Sequence, residues 1–409
     1  MKRILFITAA ALLLIVQMQP AAAGPAAISE SGATAISAFL KGAVDRREVP
    51  GIVALVVDRQ GVLYHEAFGK QDAARNVPMA KDTIFRIASM TKAVTSMGVM
   101  MLVEQGKLDL TDEASKWIPW LKNPQVISTF DEAAGAYETR PARRPITIEQ
   151  LLTHTSGIGY TWSDPGLAVV QRKSSPKEEE LPLANEPGER WTYGASTKVL
   201  GDIIEKISGQ RIDAFLEARI MGPLGMSDTV FEVPRSKYSR VVTIHQKANG
   251  KLTEQPNPET LPVSLRADGG LFSTAGDYGQ FLRMILNNGE LGGKRLLSER
   301  TLKNVGRNHM GSTLVRLQPS ANGALSQAYP LGAGTDKWGL GFQLAGKPSA
   351  PGTRSEGSMA WAGIFNTEFW VDPKERIGVI LLMQMLPFYD AQAIEVLQGF
   401  EKLVYQNLK

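Results

Sequence analysis

Phe85-Arg86-Ile87-Ala88-Ser89-Met90-Thr91-Lys92 runs without a break into a segment in which Val94, Met97, Met101 and Leu102 recur at helical spacing, with Gly106 where that segment ends. The pattern predicts a helix that opens near Ser89 and is closed by Gly106 as a C-cap. Three-residue spacing puts Ser89 and Lys92 on one helix face, with the ammonium one turn from the hydroxyl. The free N–H groups at the start of the helix are placed to receive developing negative charge. These are the requirements of an activated serine nucleophile. Ser174-Ser175-Pro176-Lys177 repeats the spacing, but in a charged, proline-containing stretch with no apolar helix behind it. Serine and lysine are common enough for about one such recurrence by chance in a chain of this length, so context selects Ser89.

Outward toward the N-terminus, Ile52 to Val57 is a β-branched run, Arg59-Gln60-Gly61 is a turn and Val62 to Phe68 returns, which predicts a β-hairpin. A helix over Ile28 to Val44 precedes it, ended by Pro50-Gly51. Outward toward the C-terminus, the chain is rich in helical pattern and loop punctuation until strand character returns at Trp338 to Leu344, Met359 to Val371 and Ile377 to Met383. Ala391 to Gln406 then closes the chain as an amphipathic helix. The economical reading is an α+β fold, an α/β sandwich. One antiparallel sheet is built from both ends of the chain and flanked by the terminal helices, with a mostly helical subdomain inserted. The expected division is a sheet subdomain from about 28–82 and 335–409 and a helical subdomain at about 83–334, with the site in the cleft between them. The loops from Phe130 to Pro145 and from Tyr160 to Asn185 would shape that cleft, and the charged run Lys177 to Glu180 reads as a solvated loop.

The 409-residue chain is 43% hydrophobic and 21% charged, an ordinary globular composition. Its net charge of +4 is spread rather than gathered into basic arms, so nucleic acid is not an expected partner. The chain has no cysteine, which excludes disulfides, thiol nucleophiles and thiolate metal sites. Lys2 and Arg3 precede an apolar run from Ile4 to Val16, and Ala21, Ala22 and Ala23 follow, as in a secretory signal peptide cleaved after Ala23. The apolar run is too short for a membrane span. The expectation is a signal peptide at 1–23 and a mature domain at 24–409, periplasmic or secreted and not held in the membrane after cleavage.

Further motifs follow in order: Leu151-Leu152-Thr153-His154-Thr155-Ser156-Gly157, Pro187-Gly188 before Trp191-Thr192-Tyr193, and Gly269-Gly270-Leu271 with Ser273. With the segment around Ser89 they resemble the serine β-lactamase-like superfamily, in particular class C enzymes and family VIII carboxylesterases, from about Ser37 to the C-terminus. The resemblance implies a β-lactamase/transpeptidase-like fold and an acyl-enzyme mechanism. Ser89 would be the nucleophile, Lys92 the partner that lowers its proton affinity, and Tyr193 the tyrosine of the second motif. Free lysine and tyrosine side chains titrate near 10.4 and 10, so a base at neutral pH has to be made by its surroundings. Which of the two acts as the base is open. Trp361-Ala362-Gly363 matches the third motif, a substrate-binding strand, and implies an oxyanion hole from the backbone amides of Ser89 and Ile364.

Two departures bear on the substrate. The third motif lacks the family's lysine, and Ala195 stands where class C β-lactamases place asparagine. An apolar wall in place of a carboxylate-binding cation favours a carboxylesterase acting on a small-molecule ester. The alternatives are a class C-type β-lactamase or D,D-peptidase acting on an amide, and a transacylase or a noncatalytic cell-wall binding protein. No cofactor and no metal are expected, since neither His-Glu-x-x-His nor paired-histidine spacing occurs among the four histidines. A Ser-His-Asp triad lacks its Gly-x-Ser-x-Gly elbow. His154 reads as a structural hydrogen-bonding residue under the cleft, and Met90, Met97, Met100 and Met101 as core filler. Tyr160 and Trp162 follow Gly159 in a loop, and no spacing argument places them in the site.

Overall fold

The computed structural model describes residues 26–348 and 352–409; the signal peptide expected at 1–23 lies outside them. The hairpin read from the sequence forms as β1 (Gly51–Val57) and β2 (Val62–Asp72), followed by the short β3 (Val77–Pro78). Five strands from the far end of the chain join them: β4 (Lys337–Trp338), β5 (Gln343–Leu344), β6 (Met359–Gly363), β7 (Thr367–Asp372) and β8 (Ile377–Leu382). They make one eight-stranded sheet, ordered β4-β5-β6-β7-β8-β1-β2-β3, with each neighbouring pair antiparallel. Every residue of β1 is buried. The reason is its place in the sheet: β1 lies between β8 and β2 and is covered on both faces, hence its continuous β-branched run.

On one face Ile52, Ala54, Val56, Val379 and Leu381 pack in a cluster with residues of α1 (Glu30–Asp45), including Ile36 and Leu40, and of the C-terminal helix Ala391–Asn407, including Val396 and Phe400. Ser29 and Asp390 cap these two helices with side-chain hydrogen bonds to free backbone amides. The helices lie so close that a Cβ on Gly399 would collide with the Phe39 ring. On the other face Val53, Leu55, Ile380 and Leu382 belong to the larger core. That core draws in α2 (Thr91–Glu104), α3 (Ser196–Ser208) and α4 (Ala275–Leu286), after which the C-terminal helix becomes α5. Each fully buried aliphatic side chain contributes roughly 1.5–3 kcal/mol, so the double-sided burial of β1 and β8 fixes the sheet on which the site is assembled.

The structure departs from the sequence reading in four places. Met359 to Val371 is not one strand, because the chain turns over Ile364–Asn366 between β6 and β7. Asn366 takes a left-handed φ of 56° there, and its amide donates to the carbonyls of Met385 and Pro387, both at 2.9 Å. Trp338 to Leu344 is likewise broken into β4 and β5 by a bend that includes Gly341 at φ +97°. The expected loop at 130–145 contains most of a second hairpin, Gln125–Asp131 paired with Ala136–Pro141. The expected loop at 160–185 carries the helix Pro165–Ser174, capped by Asp164. Among the described residues no helix is long and apolar enough to cross a membrane.

Candidate active site

Ser89 lies in a tight 3-10 turn, Ala88–Met90, that runs directly into α2. Ala88, immediately before it, has φ +44°, a left-handed conformation that costs a residue with a Cβ about 1–3 kcal/mol and persists only where packing enforces it. The enforcing element is β6. A Cβ on Gly363 would collide with the Ile87 carbonyl and with Thr367 Oγ1, so the end of β6 approaches the serine turn more closely than any side chain would allow. Ser89, Gly363 and Ile364 thereby line one cleft of about 510 Å³.

Helix α2 is buried from Thr91 to Leu102, Lys92 included. A buried ammonium has to find partners, and Lys92 Nζ has three. It donates to the Asp268 carbonyl at 2.6 Å, to Tyr160 OH at 3.0 Å and to Ser89 Oγ at 3.2 Å. It also lies 4.9 Å from the centre of the Tyr193 ring. The Tyr160 hydroxyl passes its own proton on, donating to Asp268 Oδ2 at 2.5 Å. Burial first, and the Asp268 charge second, push the Tyr160 phenol well above its ordinary range, so it stays protonated. Burial raises the Asp268 carboxyl, but Lys92 and Arg266 outweigh it and hold the group below the usual carboxylate range. Arg266 donates to both oxygens of Asp268 at 3.0 Å, and to both oxygens of Glu178 at 2.8 and 3.0 Å. A chain of charge-assisted contacts thus runs from Ser89 through Lys92, Tyr160, Asp268 and Arg266 to Glu178 at the rim.

Tyr193 enters from the segment ahead of α3, and its hydroxyl accepts from Trp361 Nε1 at 3.2 Å. Its ring packs on Trp361 at 4.7 Å, His154 at 4.9 Å and Tyr160 at 5.5 Å between centres. Ser156 Oγ and Ser196 Oγ, 2.8 Å apart, tie the Thr-Ser-Gly loop to the start of α3. Trp361 is 4% exposed and also packs edge-on against Trp338, with centres 4.6 Å apart. Ser89, Tyr193, Trp361, Ala362, Gly363 and Ile364 all border the cleft. Lys92 sits behind Ser89.

Three expectations are corrected here. Tyr160, set aside for want of a spacing argument, bonds directly to Lys92; its partner Asp268 stands just ahead of Gly269-Gly270, a signal that the motif reading passed over. The charged run is not only solvated loop, because Glu178 borders the cleft and pairs with Arg266. His154 works through packing rather than side-chain hydrogen bonds. Its Nδ1 has no partner among the described residues, and its ring is sandwiched by Tyr193 and by Trp338 at 5.2 Å. Burial and the nearby Lys92 hold its pKa well below the ordinary imidazole value, so the ring is neutral.

The described residues hold no group of three or more His, Asp or Glu that could bind a metal ion. The chain is similar to lovastatin esterase of Penicillium rubens, at 28% identity over 89% of this chain and 96% of that protein. It is similar to the same degree, 28% over 94% of this chain and 97% of the other, to monacolin J acid methylbutanoyltransferase of Aspergillus terreus. In fold it matches a mutant of simvastatin synthase from Aspergillus terreus, with a TM-score of 0.79, 24% identity, and coverage of 93% of this chain and 98% of that one. The model of the Beta-lactamase family matches residues 36–397, and the chain belongs to that family of serine-dependent enzymes.

Proposed function

We propose that the protein is a carboxylesterase that works through an acyl-enzyme on Ser89. The observation that carries this reading is the bonding of Lys92. Its contacts to the Asp268 carbonyl and to Tyr160 OH require two N–H donors, because the carbonyl can only accept and the tyrosine proton is committed to Asp268. The third direction of the nitrogen is left for Ser89 Oγ, and it is the contact across which a proton can pass.

Ser89 Oγ attacks the ester carbonyl as its proton moves to the Lys92/Tyr193 pair. The carbonyl oxygen becomes an oxyanion held by the backbone amides of Ser89 and Ile364. The C–O bond to the alcohol then breaks, and the alcohol leaves with a proton delivered through Tyr193. Water repeats the sequence on the acyl-enzyme, releasing the acid and returning the proton to Ser89. Trp361 fixes the Tyr193 hydroxyl through its indole N–H. Trp361, Ala362, Ile364, Phe365 and Phe388 line an apolar side of the cleft, which suits an acyl chain better than the carboxylate of a β-lactam.

Transfer to an acceptor alcohol is the second reading, favoured by the equal similarity to an esterase and to an acyltransferase. It needs only that the alcohol reach the acyl-enzyme ahead of water. Both readings are tested by turnover of p-nitrophenyl butyrate and nitrocefin, with and without added short-chain alcohol. The expected kcat/KM for the ester exceeds that for nitrocefin by at least about 10²-fold, and formation of a butyrate ester in the presence of alcohol reveals transfer. Preferential consumption of nitrocefin would overturn the esterase reading.

A further inference from the structure

A second cavity, of about 420 Å³, lies against the far side of the same strands, between the sheet edge and α5. It is bordered by Glu368 of β7, Arg354, Asp336, Tyr329 and, from α5, Glu401 and Lys402. Trp361 borders both cavities, so they are separated by little more than β6. Most charged groups here are already partnered. Arg354 donates to both oxygens of Glu401, at 2.9 and 2.8 Å, and stacks 4.4 Å from the centre of Trp370. Asp336 accepts from Gln343 Nε2 at 2.7 Å, Gly346 N at 2.9 Å and Thr335 Oγ1 at 2.9 Å.

Glu368 differs. It is 6% exposed, and no hydrogen bond reaches its carboxyl among the described residues. It stands in β7 between Thr367 and Phe369, a strand buried throughout. An unpartnered buried carboxyl costs several kcal/mol once ionised. Nothing in the sheet requires an acid there, since an apolar residue would pair equally well with Ala362 across the ladder.

We propose that this cavity is a binding site for a small organic cation, a primary ammonium on a short apolar chain, with Glu368 as its counter-ion. The ammonium enters toward the Glu368 carboxylate, and its chain lies against Tyr329, Leu331 and Ala360, which border the same space. The Arg354 cation is neutralised by Glu401, while Lys347 and Lys402 are exposed at the mouth, where solvent screens them. The site does not depend on the chemistry at Ser89.

A pH signature follows. Burial, reinforced by Glu401 and opposed by Arg354, pushes the free Glu368 carboxyl up to about 8. Binding a cation requires the ionised form, so each pH unit below that value weakens binding by about tenfold, with one proton released per cation bound. Burial raises the Glu401 carboxyl but Arg354 outweighs it and holds the group below the usual carboxylate range, while burial pushes the nearby Tyr329 and Tyr389 phenols up, so these three groups keep their charge states between pH 6 and 8.

The test is isothermal titration calorimetry of the protein with n-butylammonium at pH 8 and pH 6, with n-butanol and butanoate as controls. Saturable one-to-one binding of the amine alone is expected, weaker at pH 6. It should weaken at least tenfold in Glu368→Gln, which keeps the shape of the protonated carboxyl, and also in Ala360→Val, which narrows the cavity without touching the acid. Ser89→Ala should bind as the wild type does, which separates this cavity from the cleft. Amine binding equal in wild type and Glu368→Gln, or no binding to wild type at pH 8, would overturn the proposal.

Discussion

A lysine held 2% exposed is tolerable only if each of its protons is spoken for, and around Lys92 the partners are of different kinds. A carbonyl and a phenol fix its orientation, and the serine completes it. Tyr160 is thus a positioning residue: it holds Lys92 toward Ser89 and is itself held by Asp268. Tyr160→Phe removes the hydroxyl and keeps the ring. The expected result is a fall in kcat of the order of 10²-fold with KM and melting temperature little changed, together with a displaced pH profile of kcat, since Lys92 then faces Asp268 without its intermediary. An unchanged pH profile would assign Tyr160 a merely structural role. The sequence contained both ends of this contact but not the contact. Ser89 and Lys92 are three apart and are found by pattern, whereas Tyr160 and Asp268 are 108 residues apart and meet only once the chain has folded.

At the scale of elements, the site depends on one close approach, that of β6 to the serine turn. Gly363 allows it, and the left-handed Ala88 is its counterpart on the other side. Gly363→Ala forces the two apart, because the added carbon would meet the Ile87 carbonyl, which is backbone and cannot swing away. The expected cost is about 1–3 kcal/mol of stability, read as a lower melting temperature. A fall in kcat/KM of at least about tenfold should accompany it if the Ile364 amide holds the oxyanion as proposed, because that amide is displaced with the strand. The hairpin of β1 and β2 was legible from its turn and its β-branched run. The turn between β6 and β7 was not, because Met359 to Val371 is nearly continuous in strand-forming residues and its single cue is Asn366, which tolerates the left-handed region better than most residues. In the same way Asp164 caps a helix that begins at Pro165, a cap signal present in the sequence but overshadowed by the surrounding loop residues.

Across the whole molecule, the two ends of the chain build a single sheet whose faces serve different purposes. One face is sealed by α1 and α5, and the other carries the core under Ser89. The general architecture could be read because strand-like segments clustered at both ends, but the depth of the cleft could not, since its rim comes from Glu178, Arg266 and Trp162 on separate loops. The pair between Glu178 and Arg266 is 36% and 41% exposed at its side chains, so it shapes the rim while adding only about 0–1 kcal/mol to stability. Acyl transfer to Ser89 is open to direct observation by intact-protein mass spectrometry after rapid mixing with p-nitrophenyl butyrate. The expected result is a transient species heavier by one butyryl group, mapped to the peptide that contains Ser89 and missing in Ser89→Ala. Ester turnover that survives in Ser89→Ala, or an adduct mapped to another residue, would contradict it.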